Sequence, residues 1–418
     1  MATKTKSKTN TTKKSSSSKK SASNSLFKEI KKDTKKQVKK ASKTPGGKIA
    51  IALFSILAVA AAIFYFAVPL DILHGYTINE YVQERQNVQK DNGHEEIKFD
   101  GTIYDEFQVH FLELGDWKTG DAVYIKAGNN DILIDAGSCY ASAGAIESYV
   151  DKYCKDGKLE YVIATHAHED HIAGFSGGSK KDGIFYKYDI GTIIEFAKTD
   201  SSAEVYKNYA TARDYAVSKG AKCYTALQAY NDTTLREISL GEGMKMTTLY
   251  QKYYEEKAST ENNYSVCTLF TYNEQHYLFT GDLESAGETS LVEKNNLPKC
   301  ELYKAGHHGS KTSSSKKLMA AIQPKVVCCC CCAGSNEYTS KDANQFPTQE
   351  FIDRVAPYTD NVYATTISTD NKERKYASLN GTILFSSNGL KYSVVCSNNN
   401  TLIKDTDWFK AHRTWPNA

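Results

Sequence analysis

Two short stretches hold five of the ten histidines in this chain. Thr165-His166-Ala167-His168-Glu169-Asp170-His171 follows one apolar run, and Gly306-His307-His308-Gly309-Ser310 follows another. Between them, Thr280-Gly281-Asp282 closes a third. Imidazole nitrogens and carboxylate oxygens suit Zn²⁺ or Mn²⁺, and turns at strand ends can bring them to one sheet edge. A lone histidine is an ordinary core or surface residue. His166, His168, Asp170 and His171 packed within six residues are not, because without a cation these groups disfavour one another.

The surrounding sequence supplies the elements that must position them. Phe107–Leu114, Ala122–Ala127 and Asp131–Ile134 read as strands, the last two separated by the turn residues Gly128, Asn129 and Asn130. A short helix over Ala143–Tyr153 leads to the apolar strand Tyr161–Thr165, and Ser202–Gly220 reads as an amphipathic helix ended by glycine. A hairpin (Ser265–Tyr272 with His276–Thr280), a helix near Ser285–Asn295 and the strand Glu301–Ala305 follow. Helix Ser314–Ile322, strand Val326–Cys332 and helix Thr348–Val355 continue the alternation, and Asn388-Gly389 marks a tight hairpin. The expected class is α/β (α+β): sheets covered by helices.

At 418 residues the chain has room for two or three domains. With 40% apolar and 24% charged residues it is not wholly disordered, collagen-like or a multi-span membrane protein. Its net charge of +3 hides an asymmetry. Residues 1–48 carry 16 lysines against Glu29 and Asp33, a balance of +14, which leaves −11 for residues 49–418. This Lys/Ser-rich tail cannot bury enough apolar surface to offset its ordering entropy and reads as disordered. Ile49 to Leu70 is an uncharged run that would span about 33 Å as a helix, enough for a bilayer core of about 30 Å. It exceeds the apolar core of a cleaved signal, so it reads as a transmembrane helix with the lysine tail in the cytoplasm and the remainder outside. Residues 71–100 read as a polar stalk, 101–396 as the globular domain and 397–418 as a C-terminal tail docked by Trp408 and Trp415.

His166-x-His168-x-Asp170-His171 resembles the signature of the metallo-β-lactamase superfamily. Ile132-Leu133-Ile134-Asp135-Ala136-Gly137 and Thr280-Gly281-Asp282 resemble its first conserved turn and its bridging-aspartate turn. Lys304 to Ser313 is similar to the last histidine turn of one branch: the extracellular nuclease-like domain of the DNA-uptake competence protein ComEC and its stand-alone relatives. The resemblance covers roughly residues 107–396. It implies a four-layer αββα sandwich holding two divalent ions, Zn or Mn, with the first site weak. His166 and His168 would hold one ion; Asp170, His171 and His307 the other; Asp282 would bridge. Asp135 would orient a ligand histidine, and His308 would contact the substrate oxyanion or protonate the leaving group, although the two adjacent histidines could be exchanged. Lys304, Gly309, Ser310, Lys311 and Asn263 would contact substrate. The implied protein is a single-pass bacterial membrane protein whose external hydrolase domain attacks phosphodiesters through a metal-bound hydroxide. Nucleic acid is the first substrate and a cell-wall phosphorylcholine (teichoic acid) ester the alternative; a non-catalytic binding protein of the same fold is the third reading. No obligate protein partner is implied.

The chain departs from that pattern in three places. A further histidine for the first ion is missing: His276 lies within a hairpin strand, and Glu261-Asn262-Asn263-Tyr264-Ser265 stands in the interval. The early turn is expanded to Gly115-Asp116-Trp117-Lys118-Thr119-Gly120-Asp121, where Asp121 either approaches the site or serves the turn. Phe346-Pro347 stands where relatives often carry His-Pro. Five of the 11 cysteines, Cys328 to Cys332, are consecutive and read as small apolar strand residues rather than a disulfide framework. Tyr253, Tyr254 and Tyr264 read either as core or as the wall of a stacking groove.

Overall fold

The computed structural model describes residues 97–416. The basic tail, the apolar run 49–70 and nearly all of the stalk lie outside the described residues. Among the described residues no helix is long and apolar enough to cross a membrane.

The chain first lays down β1 (Phe107–Phe111), β2 (Val123–Ala127) and β3 (Asn130–Ile134), then α1 (Ser142–Val150), β4 (Lys158–Ala164), α2 (Glu169–Ser176), β5 (Asp189–Glu195), α3 (Glu204–Ser218) and β6 (Lys222–Thr225). A second series follows: β7 (Glu237–Gly241), β8 (Met244–Leu249), β9 (Cys267–Tyr272), β10 (Gln275–Phe279), α4 (Ser285–Lys294), β11 (Leu302–Lys304), α5 (Lys316–Ile322), β12 (Val326–Ala333), α6 (Gln349–Val355), β13 (Val362–Asp370) and β14 (Lys375–Ser378). The chain then returns to the first sheet with β15 (Ile383–Ser387) and β16 (Tyr392–Cys396) and ends in α7 (Asp407–His412).

Two eight-stranded sheets result, ordered β16-β15-β1-β2-β3-β4-β5-β6 and β14-β13-β12-β11-β10-β9-β8-β7. Each has an antiparallel part and a parallel part, the latter β3 to β6 in one sheet and β10 to β13 in the other. Strand periodicity puts alternate side chains on opposite faces. Phe107 and Phe111 of β1 pack on Phe270, Tyr277 and Phe279 of the facing sheet. His110, between them, turns outward to Tyr149 and Tyr153 beside α1. On the second sheet Cys329 and Cys331 join the cluster formed by Leu318, Met319 and Ile322 of α5 with Phe351, Ile352 and Val355 of α6. Cys328 and Cys330 point the other way, into the core shared with the first sheet. The section is therefore helix, sheet, sheet, helix, as an αββα sandwich requires. No disulfide forms, so the cysteine run is packing material. Tyr253, Tyr254 and Tyr264 are buried and form no open stacking wall. Trp415 donates to Asp360 Oδ1 (3.0 Å) and Arg413 to Pro347 O (2.9 Å), which holds the end of the described chain against the second sheet's helices.

Candidate metal centre

The carboxyl ends of parallel strands from both sheets meet at one edge, the usual place for a site in such sheets. Asp135 follows β3, His166 to His171 follow β4, Asp282 follows β10, and His307 and His308 follow β11. His168 is the N-cap of α2, so Asp170 and His171 fall in its first turn and point back over the strand end. Across the sandwich, Val266 N donates to Thr165 O (2.9 Å), and within the second sheet's turns Asp282 N donates to Ser265 Oγ (3.1 Å).

His171, His308, Asp282 and Asp121 offer ligand atoms that all lie within 4.8 Å of one another, and all four residues are buried. His171 Nε2 and His308 Nε2 each lie 3.2 Å from the same oxygen, Asp282 Oδ2, and His308 Nε2 lies 3.3 Å from Asp170 Oδ2. The opposite ring nitrogens are already engaged. His171 Nδ1 meets Asp135 Oδ2 at 2.8 Å, and His308 Nδ1 meets the Cys330 carbonyl oxygen at 2.9 Å. Both partners are acceptors, so each ring must hold its proton on Nδ1 and turn a lone pair toward Asp282. Neither Nε2 has a hydrogen-bond partner. Lone pairs facing carboxylate oxygens require a cation between them or a proton on each ring.

The local charge makes the same demand. Burial pushes the His171 and His308 pKa values down, but Asp282, Asp121 and Asp170, joined at His171 by Asp135, outweigh it and hold both well above the ordinary imidazole range. Burial raises Asp282 and Asp121, and the facing imidazoles and Lys304 more than reverse this. Asp135 alone stays raised by burial. The donor set fits a divalent ion: two imidazole lone pairs, with Asp282 and Asp170, each histidine oriented by a second hydrogen bond as metal-bound imidazoles are.

Several residues expected at the site are found in other roles. His308, not His307, enters the ligand cluster. Both sit in left-handed backbone (φ 47° and 56°), a strained turn that sends His308 inward and leaves His307 at the mouth. His307 Nδ1 meets Thr312 Oγ1 at 2.9 Å, and its Nε2 stays 3.8 Å from Asp282 Oδ2. Asp135, by contrast, lies where it was expected, beside a candidate ligand histidine: it accepts from Thr165 N and Oγ1 (2.8 and 2.7 Å) and meets His171 Nδ1. Lys304 is no substrate contact, because it is buried against Asp121, 3.5 Å from Asp282 Oδ1 and 3.2 Å from Gly281 O. Asn263 is likewise internal: its Oδ1 accepts from Glu284 N (3.2 Å) and its amide donates to Thr260 Oγ1 (3.3 Å). Gly309 and Ser310 shape the turn, through Thr348 N to Gly309 O (2.9 Å) and Thr312 N to Ser310 Oγ (3.3 Å). Lys311 is exposed on the rim and donates to Asn344 Oδ1 (2.8 Å). His276 Nδ1 meets Thr271 Oγ1 (3.2 Å) on the hairpin.

His166 and His168 face each other, with 3.0 Å between Nε2 and Nδ1. Ser265 Oγ stands 3.4 Å from His166 Nδ1. Asp121 reaches the centre because its amide donates to Asp170 O (2.9 Å) while its carbonyl accepts from Gly137 N (2.7 Å). Tyr338, which no sequence signal marked, donates its hydroxyl to Asp170 Oδ2 at 2.5 Å. Phe346 covers both histidines of the last turn, with ring centroids 5.8 and 6.0 Å away.

A model of the metallo-β-lactamase superfamily matches residues 115–181, the stretch holding Asp121, Asp135 and the first histidine cluster. That match supports the superfamily, and the paired eight-stranded sheets fit its fold. No curated protein matches the chain. Among solved structures it is similar to the metallo-β-lactamase fold protein YhfI from Bacillus subtilis, at 13% identity over 63% of this chain and 96% of that one, TM-score 0.35. It is also similar to a putative metal-dependent hydrolase from Parabacteroides distasonis, at 13% identity over 55% of this chain and 87% of that one, TM-score 0.31. A diphosphatase of the PhnP family aligns at 10% identity over 53% of this chain and 85% of that one, TM-score 0.29.

Proposed function

We propose that the chain is a metal-dependent phosphodiesterase of the ComEC-like branch, anchored through residues 49–70 with its hydrolase domain outside a bacterial cell. The observation that carries the hydrolase reading is the pair of partnerless Nε2 atoms of His171 and His308 converging on Asp282 Oδ2. His171, His308, Asp282 and Asp170 would hold one ion, Zn²⁺ or Mn²⁺. His166 and His168 would hold a second more weakly, for want of a third histidine. A bound ion there supplies Lewis acidity and water acidified toward neutral pH.

The chain's own groups do the remainder. Asp135 and the Cys330 carbonyl fix the tautomers and orientations of His171 and His308. Lys304 neutralises Asp121 beneath the centre, so the other carboxylates stay ionised in a buried site. In hydrolysis a water oxygen bonds to phosphorus, the bond to the leaving alcohol breaks, and the leaving oxygen takes a proton. His307 Nε2 and the Tyr338 hydroxyl are the donors nearest the open mouth for that oxygen. Burial holds His307 below its usual pKa despite Asp282, so its neutral ring offers the leaving oxygen a hydrogen bond, and the proton that oxygen takes is the one the attacking water gives up.

The test is turnover of bis-p-nitrophenyl phosphate by the full-length protein with and without Mn²⁺ or Zn²⁺, beside Asp282→Asn. Metal-dependent turnover lost in the variant is expected. Turnover that survives in a folded Asp282→Asn protein would refute the assignment.

A further inference from the structure

We infer that Glu288 is a positioning residue for the candidate metal centre: from α4 it locks the turn bearing His308 against the turn bearing Asp282. This rests on the metal-centre reading above and goes beyond its ligands. Glu288 lies in the helix that follows the Asp282 turn and is fully buried. Its Oε1 accepts from Ser314 N (2.6 Å) and its Oε2 from Ser315 N (2.7 Å), just past the His308 turn. Burial raises its pKa to about 7, against the pull of these hydrogen bonds and of the Arg354 charge. An apolar side chain would avoid that desolvation, so the two backbone bonds are what the acid contributes.

The stretch needs such a hold because its backbone is strained. His307, His308 and Ser314 are all left-handed (φ 47°, 56° and 54°), which residues other than glycine keep only where their surroundings over-determine it. The hold comes from three sides. Glu288 takes the N–H groups of Ser314 and Ser315. Arg354 of α6 donates to Lys311 O (2.8 Å) and Ser313 O (2.9 Å). From the Asp282 side, Ser285 N donates to Thr312 O (2.9 Å), and Leu283 O accepts from Ser313 Oγ (2.7 Å). His308 Nε2 lies 3.2 Å from Asp282 Oδ2, so the relative placement of the two turns sets the ligand geometry. Glu288 sits on the element that continues one turn and binds the backbone that continues the other.

Metal-stripped full-length protein would be titrated with Co²⁺ at pH 8, where Glu288 is ionised, and followed by the visible absorption of the bound ion. Glu288→Gln keeps the volume but offers one acceptor oxygen for two backbone N–H groups. It should weaken Co²⁺ binding about 10-fold or more and alter the spectrum of the ion that still binds. Leu318→Ala opens a cavity under α5 without touching these hydrogen bonds, so it should lower the melting temperature and leave Co²⁺ affinity unchanged. Wild-type affinity and spectrum in Glu288→Gln would overturn the inference, as would an equal loss of affinity in Leu318→Ala. If Glu288→Gln does not fold, Arg354→Met loosens the same stretch from its other side; weaker Co²⁺ binding is expected, and unchanged binding overturns the inference. No Co²⁺ uptake by the wild type would sink the metal centre itself. Uptake that depends on Glu288, without turnover of bis-p-nitrophenyl phosphate, would sink the hydrolase reading and leave Glu288 in its role.

Discussion

Asp135 stands behind His171, off the candidate ion, yet its carboxylate sets which nitrogen of His171 carries the proton. Asp135→Ala should lower metal affinity by about 10- to 100-fold, the usual cost of losing such an orienting partner. Metal content after dialysis against a graded chelator checks it, and an unchanged affinity would count against His171 as a ligand. The raised pKa values of His171 and His308 give a second test. In metal-free protein their protonation stabilises the fold fully below the unfolded imidazole value of about 6.5, and that contribution is lost as pH rises through the elevated folded values. The melting temperature of the metal-free protein should therefore fall on moving from pH 6 toward alkaline pH, and added Zn²⁺ should offset the fall; a flat profile without metal would contradict the charge argument. At this scale the first cluster was legible because its residues are contiguous. The choice between His307 and His308 was not, since both follow the same strand and left-handed backbone sends one of them inward. Asp121 and Tyr338 reach the site through folding of distant turns, which spacing cannot show.

The strand β12 shows how far an element can be read before its structure is known. Five consecutive cysteines would be a puzzling disulfide pattern, but as alternating strand positions they are small apolar side chains against helices on one face and a facing sheet on the other. Eight of the 11 thiols are buried and only Cys139, Cys223 and Cys396 are partly exposed. Burial pushes the Cys332 pKa up to about 12, so a thiolate is scarce at neutral pH. Native protein should thus react with a thiol reagent at three sites at most, with the rest released in one step on unfolding. Glycine gives a second test. A Cβ on Gly120 would stand 2.5 Å from the backbone N of Ser138, where nothing can yield but the loop. Gly120→Ala should displace Asp121 from the centre and lower both melting temperature and metal affinity. The apolar strands β1 to β4 and β9 to β12 were evident from pattern. The edge strands β6, β7 and β14 were not, because Lys222-Cys223-Tyr224-Thr225, Glu237 to Gly241 and Lys375 to Ser378 each have one solvated side and too few apolar residues to announce a strand.

Across the whole molecule, a balance of +14 in residues 1–48 adjoins an uncharged run and then −11 over the remainder. Lysines flanking an apolar stretch resist translocation, which would leave them in the cytoplasm and carry the sandwich outside. An exterior protein with 11 cysteines ordinarily pairs them. Burial shields most of these thiols: those inside a packed strand meet neither oxidant nor one another in a bridging geometry, and only the partly exposed Cys139, Cys223 and Cys396 would meet an oxidising exterior. The −11 balance also bears on substrate, because an acidic globule draws cations and repels a polyanionic strand at low salt. Protease added to intact cells should therefore remove the globule while a tag on the lysine tail stays protected, and the fragment released from residues beyond 71 should keep its metal-dependent phosphodiesterase activity. Full protection of the globule in intact cells, with cleavage only after lysis, would reverse the orientation and place the unpaired thiols in a reducing compartment.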